Sequence, residues 1–328
     1  MRAVPLLKGP AVLACLLLSA AGAGHAQPAA SATSGPVTPG IAGVVNAGTP
    51  IEVLGEGFDG TEGPLGLPDG AVLFTETRAN RIVRIAPDGS LSVYLEQTEG
   101  ANALALGAKG ELFAVLTAPA AIAQLQPVRK VLASGFAGKP FGRTNDLVRS
   151  RSGQIYFTDP GATPVPGAAT PASPPATGLY WLDRGGQLHL VASDIARPNG
   201  VALSPDERTL YVANTAGAAV LAFAVQSDGR LTGRRDFARL AGFRTGPTGP
   251  GSGADGIAVD RAGRVFVASN GGIEVFSAKG VALGVIALPK QPQNLAFGGK
   301  DRAQLYVVGR GSAYRIATLT RGVDRPGK

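Results

Sequence analysis

The sequence predicts an all-β protein: a six-bladed β-propeller with four strands per blade, closed by its N-terminal strand. Three observations lead there. A hairpin-sized unit recurs six times along the 328 residues. The 47 glycines and 25 prolines follow no collagen-like period, so they punctuate many short elements. No long stripe at helical spacing interrupts the pattern.

The copies are EGPLGLPDGAVLFTE from Glu62, ANALALGAKGELFAV from Ala101, NDLVRSRSGQIYFTD from Asn145, NGVALSPDERTLYVAN from Asn199, DGIAVDRAGRVFVASN from Asp255 and NLAFGGKDRAQLYVVG from Asn294. Each joins a short apolar run through a tight turn (PDG, SPDER, RAG) to a β-branched and aromatic strand, which is a hairpin. Two further strands follow in most units, such as AVLAFAV and LTGRRDFARL around QSDGR, or GLYWLD and LHLVA around RGGQ. The copies lie about 40 to 55 residues apart, the size of a four-stranded blade. The sixth copy runs out after SAYRIATLTR, whereas IEVLGEGF at Ile51–Phe58 resembles the outer strands RKVLASGF and LHLVASDI. The N-terminal strand therefore completes the last blade, which removes the open edges that invite aggregation.

Ahead of the ring, residues 1–26 read as a signal peptide. Arg2 and Lys8 precede the apolar run AVLACLLLSAAGA and the small-residue ending Gly24-His25-Ala26. VLAC ending at Cys15 is a rival lipoprotein box, but few apolar residues precede that cysteine. Residues 27–48, rich in Ala, Pro, Ser, Thr and Gly, predict a flexible lead-in, and 49–328 the propeller. The apolar run is too short for a permanent span, and no later segment offers about 18 uninterrupted apolar residues. The expected product is periplasmic or secreted and free of the membrane once the signal is removed.

The same inventory excludes several chemistries. Cys15 is the only cysteine, so the exported chain has no disulfide and no thiolate nucleophile. Of two histidines, His25 leaves with the signal, and His189 alternates with apolar residues in QLHLVAS as a strand-surface residue does. Histidine-based zinc sites are not expected. The net charge of +8 falls by two when Arg2 and Lys8 leave, and the remaining arginines are scattered through turns without aromatic interleaving, so no nucleic-acid partner is expected.

Aligned on their hairpins, the six copies start with Glu62, Asn102, Asn145, Asn199, Asp255 and Asn294, each carrying a side-chain oxygen. The first strand of each propeller blade lines the central channel, so these six starts converge on one mouth. A single Asn or Asp after a turn is ordinary strand-start chemistry; six in register, two of them acidic, form a ligand set. Oxygen donors without sulfur or imidazole suit a hard cation, Ca2+ ahead of Mg2+. Connections into the blades share that mouth, including GKPFGR before Asn145 and RTGPTGPGSGA before Asp255. So does the insert GATPVPGAATPASPP, which either shapes a pocket or is a surface loop without a role.

Six short motifs, in this order and spacing, carry a resemblance: EGP at Glu62, ND at Asn145, PNG at Pro198, SPDE at Ser204, ADG at Ala254 and NLAFGG at Asn294. From about Ile51 to Ala317 the chain resembles the gluconolactonase, regucalcin and luciferin-regenerating-enzyme family. The resemblance implies a calcium-type ion bound by Glu62, Asn199 and Asp255, with Asn145 as a further ligand or a substrate contact. It also implies a substrate-contacting Arg143 and hydrolysis of a small-molecule lactone. Copy two departs from the family, with ANAL in place of an Asn-Gly pair, so no role passes to Asn102. With no G-x-S-x-G elbow, cysteine or histidine pair, water is the expected nucleophile. Its base is Asp255 or the neighbouring Asp146, since coordination to a cation makes a carboxylate less basic. Asp146 is equally readable as a hairpin cap, and Asp159 in YFTDP as structural. Related propellers include phosphotriesterases, and a ligand- or protein-binding propeller braced by a structural cation is the non-catalytic alternative.

Overall fold

Six four-stranded antiparallel sheets form a ring in the computed structural model, which describes residues 35–161, 178–246 and 249–324. The expected signal peptide lies outside the described residues, as does nearly all of the insert at 161–176. Blade 1 runs from the inner strand Thr61–Gly66 to the outer strand Leu91–Glu96, and blade 2 from Ala101–Leu106 to Lys130–Ala133. Blade 3 runs from Leu147–Arg149 to Leu188–Ala192, blade 4 from Pro198–Leu203 to Leu231–Arg239, and blade 5 from Ile257–Val259 to Ala282–Ile286. Blade 6 takes three strands from Asn294–Ala317 and its outer strand, Ile51–Glu56, from the chain's other end. Ile51 faces Ile316 and Glu56 faces Ser312 in that pairing, so the predicted closure is present.

Period-two strands give each blade two apolar faces, and the core is accordingly divided among the blade interfaces. Leu65 and Leu73 of blade 1 pack on Leu104 and Ala114 of blade 2, while Val72 and Phe74 pack on Tyr306 and Val308 of blade 6. The other four interfaces repeat the arrangement. Burial of each large apolar side chain contributes about 1.5–3 kcal/mol, and this burial, more than hydrogen bonding between sheets, holds the ring together.

The lead-in requires a correction. Composition predicted flexibility over 27–48, yet the described part, from Gly35, is packed: Ile41, Val44 and Val45 are buried in the interface between blades 5 and 6. Thr38 and Ile51 make backbone hydrogen bonds that fold the segment back on itself. Three apolar residues among small ones suffice because the neighbouring blades supply the rest of the core.

A hydroxyl tether recurs between blades. Thr75 Oγ1 donates to the Asn102 carbonyl, Thr158 Oγ1 to that of Asn199 and Thr215 Oγ1 to that of Ala254, each at 2.7 Å. Thr158→Val keeps the shape and removes the donor to a buried carbonyl, which costs about 1–2 kcal/mol. The expected thermal shift is a fall of roughly 2–8 °C; an unchanged midpoint would show that the tether carries no stability.

At the far end of the channel the C-terminal segment crosses over. Asp260 bridges Gly322, Arg261 N–H donates to the Arg321 carbonyl at 2.9 Å, and Gly322 N–H to the Arg302 carbonyl at 2.8 Å. Between Val148, Ala202, Ala258, Ala296 and Val323 the channel narrows to about 20 Å³, the room of a single water.

Candidate metal centre and substrate cavity

The opposite mouth opens into a cavity of about 390 Å³. Five of the six aligned side chains line it: Glu62, Asn102, Asn145, Asn199 and Asp255. Asn294 lies just outside, buried, and donates from Nδ2 to Glu62 Oε2 at 3.2 Å. Gln293 Nε2 donates to Glu62 Oε1, also at 3.2 Å, so two amides fix the orientation of that carboxylate.

Close convergence of the inner strands explains a local rule. Glu62, Asn199 and Asp255 are each followed by glycine, and a Cβ on Gly63, Gly200 or Gly256 would collide with Asn102, Asp255 or Asn294 of the next blade. Glycine admits that approach. Where the next residue is not glycine, the starting side chain does other work. Asn102 donates from Nδ2 to the Asn145 carbonyl at 2.8 Å and accepts the Thr77 hydroxyl at 3.3 Å, so it positions Asn145. The Asn145 side-chain amide itself has no protein hydrogen-bond partner among the described residues.

The donor set fits a hard cation. Asn199 Oδ1 is buried and accepts no hydrogen bond, although Nδ2 of the same amide is held by Thr215 Oγ1 at 3.2 Å. A buried carbonyl-type oxygen without a donor costs about 1–3 kcal/mol unless something coordinates it, and the carboxylates of Glu62 and Asp255 line the same cavity. Among the described residues no three His, Cys, Asp or Glu side chains cluster to hold a metal. The donors on the cavity wall are two carboxylates with amide oxygens, a hard, flexible set of the type calcium accepts.

Asp146 does not join them. Its carboxylate is fully buried, accepting Leu147 N–H at 2.8 Å and Val201 N–H at 3.1 Å, and it is absent from the cavity wall. The two residues sit just ahead of the inner strand Leu147–Arg149, and there their side chains part: Asn145 lines the cavity, whereas Asp146 reaches Val201 of blade 4. Asp146, expected either as a base or as a hairpin cap, thus lies off the cavity wall with its carboxylate bonded to two backbone amides. Asp159 is likewise buried, and takes three backbone N–H groups: Gly142 at 2.7 Å, Arg143 at 2.8 Å and Gly161 at 2.8 Å. Burial pushes its carboxyl up from the ordinary aspartate range, against the opposing pull of those amides. It anchors the loop that presents Arg143, whose exposed side chain lines the cavity beside Pro160 and Gly161. His189 is on the outer strand of blade 3, stacked on Trp181 at 4.4 Å and bonded to Asp183, away from the site.

Three arginines of the wall escaped the sequence reading: Arg78, Arg197 and Arg310. Arg197 had a signal. It stands two residues before Asn199 as Arg143 stands two before Asn145.

A cavity lined with oxygen donors at one mouth of a six-bladed ring defines the class as a β-propeller with a channel-mouth site. The chain belongs to the SMP-30/gluconolactonase/LRE-like family, whose pattern matches residues 60–310. It is 32% identical to a gluconolactonase of Zymomonas mobilis, over 94% of this chain and 95% of that protein. A solved Xanthomonas campestris gluconolactonase superposes with a TM-score of 0.72 at 29% identity, covering 83% of this chain and 90% of that one. The Agrobacterium tumefaciens calcium-binding protein regucalcin shares the fold, with a TM-score of 0.69 at 20% identity, covering 84% and 95%.

Proposed function

We propose that this chain is a lactonase that opens the ring of a sugar-type lactone at the channel mouth, with a divalent cation, calcium first, held by Glu62, Asn199, Asp255 and Asn145. The observation that carries the reading is the cavity itself, where two carboxylates and a buried, undonated Asn199 oxygen meet the arginine-bearing loops. Relatedness to gluconolactonases over nearly the full chain supports the reaction type, and the regucalcin likeness, being one of fold, is consistent with the choice of ion.

When bound, the cation supplies Lewis-acid polarisation of the ester carbonyl. The chain's own residues supply the rest. Arg143 points its guanidinium at the ring oxygen or carbonyl oxygen and stabilises negative charge as it develops. Asp255 takes the proton of the attacking water as the new carbon–oxygen bond forms; the ring carbon–oxygen bond then breaks, and the proton passes to the departing ring oxygen. With Asp146 and Asp159 both committed to backbone amides, Asp255 and Glu62 are the only carboxylates on the cavity wall. Glu62, oriented by two amides, is assigned to the cation, and Asp255 to the proton transfer.

The signal peptide expected over residues 1–26 places this activity in the periplasm or outside the cell. Among the described residues no helix is long and apolar enough to cross a membrane.

The test is a panel of aldonolactones, aromatic lactones and phosphotriesters assayed with calcium and with chelator. Lactone turnover that chelator lowers at least a hundredfold and calcium restores is expected. Turnover indifferent to chelator would remove the cation, turnover of phosphotriesters alone would reassign the reaction, and none on any substrate would favour a binding propeller.

A further inference from the structure

A second cavity, of about 350 Å³, opens beside the first. Its walls are the glycine-rich ribbon of Arg244–Gly246 and Gly249–Gly251, together with Arg197, Thr215 and Asn270. Arg197 lines both cavities and so marks where they adjoin. Gly249 holds a φ of 100°, a conformation that favours glycine, and faces open space.

The two cavities together carry five arginines, namely Arg78, Arg143, Arg197, Arg244 and Arg310, against two carboxylates, Glu62 and Asp255. Arg78 is paired with Asp59 at 2.5 Å. Arg143, Arg244 and Arg310 have no carboxylate partner among the described residues, and every Asp and Glu of the chain is among them. Arg244 donates only to the Asn270 carbonyl at 3.3 Å, and Arg310 to the Gln291 amide oxygen at 3.2 Å. Guanidinium groups that outnumber the carboxylates around a concave surface focus a positive potential that attracts anions. The planar fork of arginine also matches carboxylate and phosphate oxygens two at a time.

We propose that the two cavities work as one bipartite site, and that its Arg197–Arg244 half binds an anionic substituent, carboxylate or phosphate, on the lactone opened in the other half. The proposal rests on the lactonase reading for the identity of the substrate. A cation neutralising Glu62 and Asp255 strengthens the positive field of the mouth, so the preference is expected to be larger with calcium than with chelator.

The experiment compares the full chain and Arg244→Gln on glucono-1,5-lactone and its 6-phosphate, corrected for uncatalysed opening. The wild-type kcat/KM is expected to be at least about tenfold higher for the phosphate at low salt, and the ratio to fall as ionic strength rises. Arg244→Gln is expected to bring the ratio toward one. A wild-type ratio of one or less, or a ratio that Arg244→Gln leaves unchanged, overturns the proposal while the lactonase stands. Calorimetry with 6-phosphogluconate and gluconate reads the anion subsite without turnover. Tighter binding of the phosphate that Arg244→Gln abolishes supports the subsite even if neither lactone is opened, in which case the lactonase reading is the one that fails. Equal affinities overturn the subsite.

Discussion

Asp255→Ala is expected to lower kcat/KM for lactone opening by at least about a thousandfold, because it removes the proposed cation ligand and the proposed proton acceptor in one change. The fold is expected to survive. Asp255 is held in the ring by main-chain bonds that alanine retains: its N–H donates to the Ala268 carbonyl at 2.9 Å and its carbonyl accepts from Gly200 N–H at 3.2 Å. Initial rates, with a thermal melt of the same sample, check both halves. A thermal midpoint near wild type with the activity intact would dismiss Asp255 as the centre of the reaction. Asp255→Asn refines the result, since an amide oxygen still coordinates but takes no proton: calcium affinity largely kept with activity lost assigns the base, whereas both lost assigns the ligand.

The second large effect is expected from Asp159→Ala, at a residue that touches no substrate. Three backbone N–H groups lose their acceptor, at about 1 kcal/mol or more each, but a carboxylate that burial disfavours goes with them. The two contributions oppose, so the stability loss is expected to be only about 1–3 kcal/mol. Activity is expected to fall more steeply, by roughly ten- to a hundredfold, because two of the three residues it anchors, Arg143 and Gly161, line the cavity and misplacement of about 1 Å costs on that scale. Added calcium is expected not to restore it, since no cation ligand is disturbed. Rescue by calcium, or a melt that shifts with rates unchanged, would show that Asp159 serves the fold alone. The pH dependence has a definite sign. Its carboxyl is raised in the folded protein, so the proton is bound more tightly there than in the unfolded chain. Its contribution to stability is present below the ordinary aspartate value and lost as pH rises through the raised folded one.

Fold and site differed in how much of each the sequence exposed. Blade number, strand count and the closure by Ile51–Glu56 were readable because each copy repeats both a turn and a period-two strand. The convergence of Glu62, Asn145, Asn199 and Asp255 was readable because rotation about the ring turns sequence register into spatial proximity. The direction of a side chain next to the site was not: Asp146 abuts Asn145 in sequence, yet its carboxylate turns to the Leu147 and Val201 amides. The glycine after each of Glu62, Asn199 and Asp255 was visible, but its reason, contact with the next blade, belongs to the assembled ring. The burial of Ile41, Val44 and Val45 depends on blades 5 and 6 and has no local period to announce it.

The C-terminal segment crosses beneath the channel, where the space narrows to the room of a single water. On the proposed lactonase reading, the hydroxy acid is therefore expected to leave by the mouth that admits the lactone, past the same arginines. An anionic product held there is expected to slow turnover as the acid accumulates.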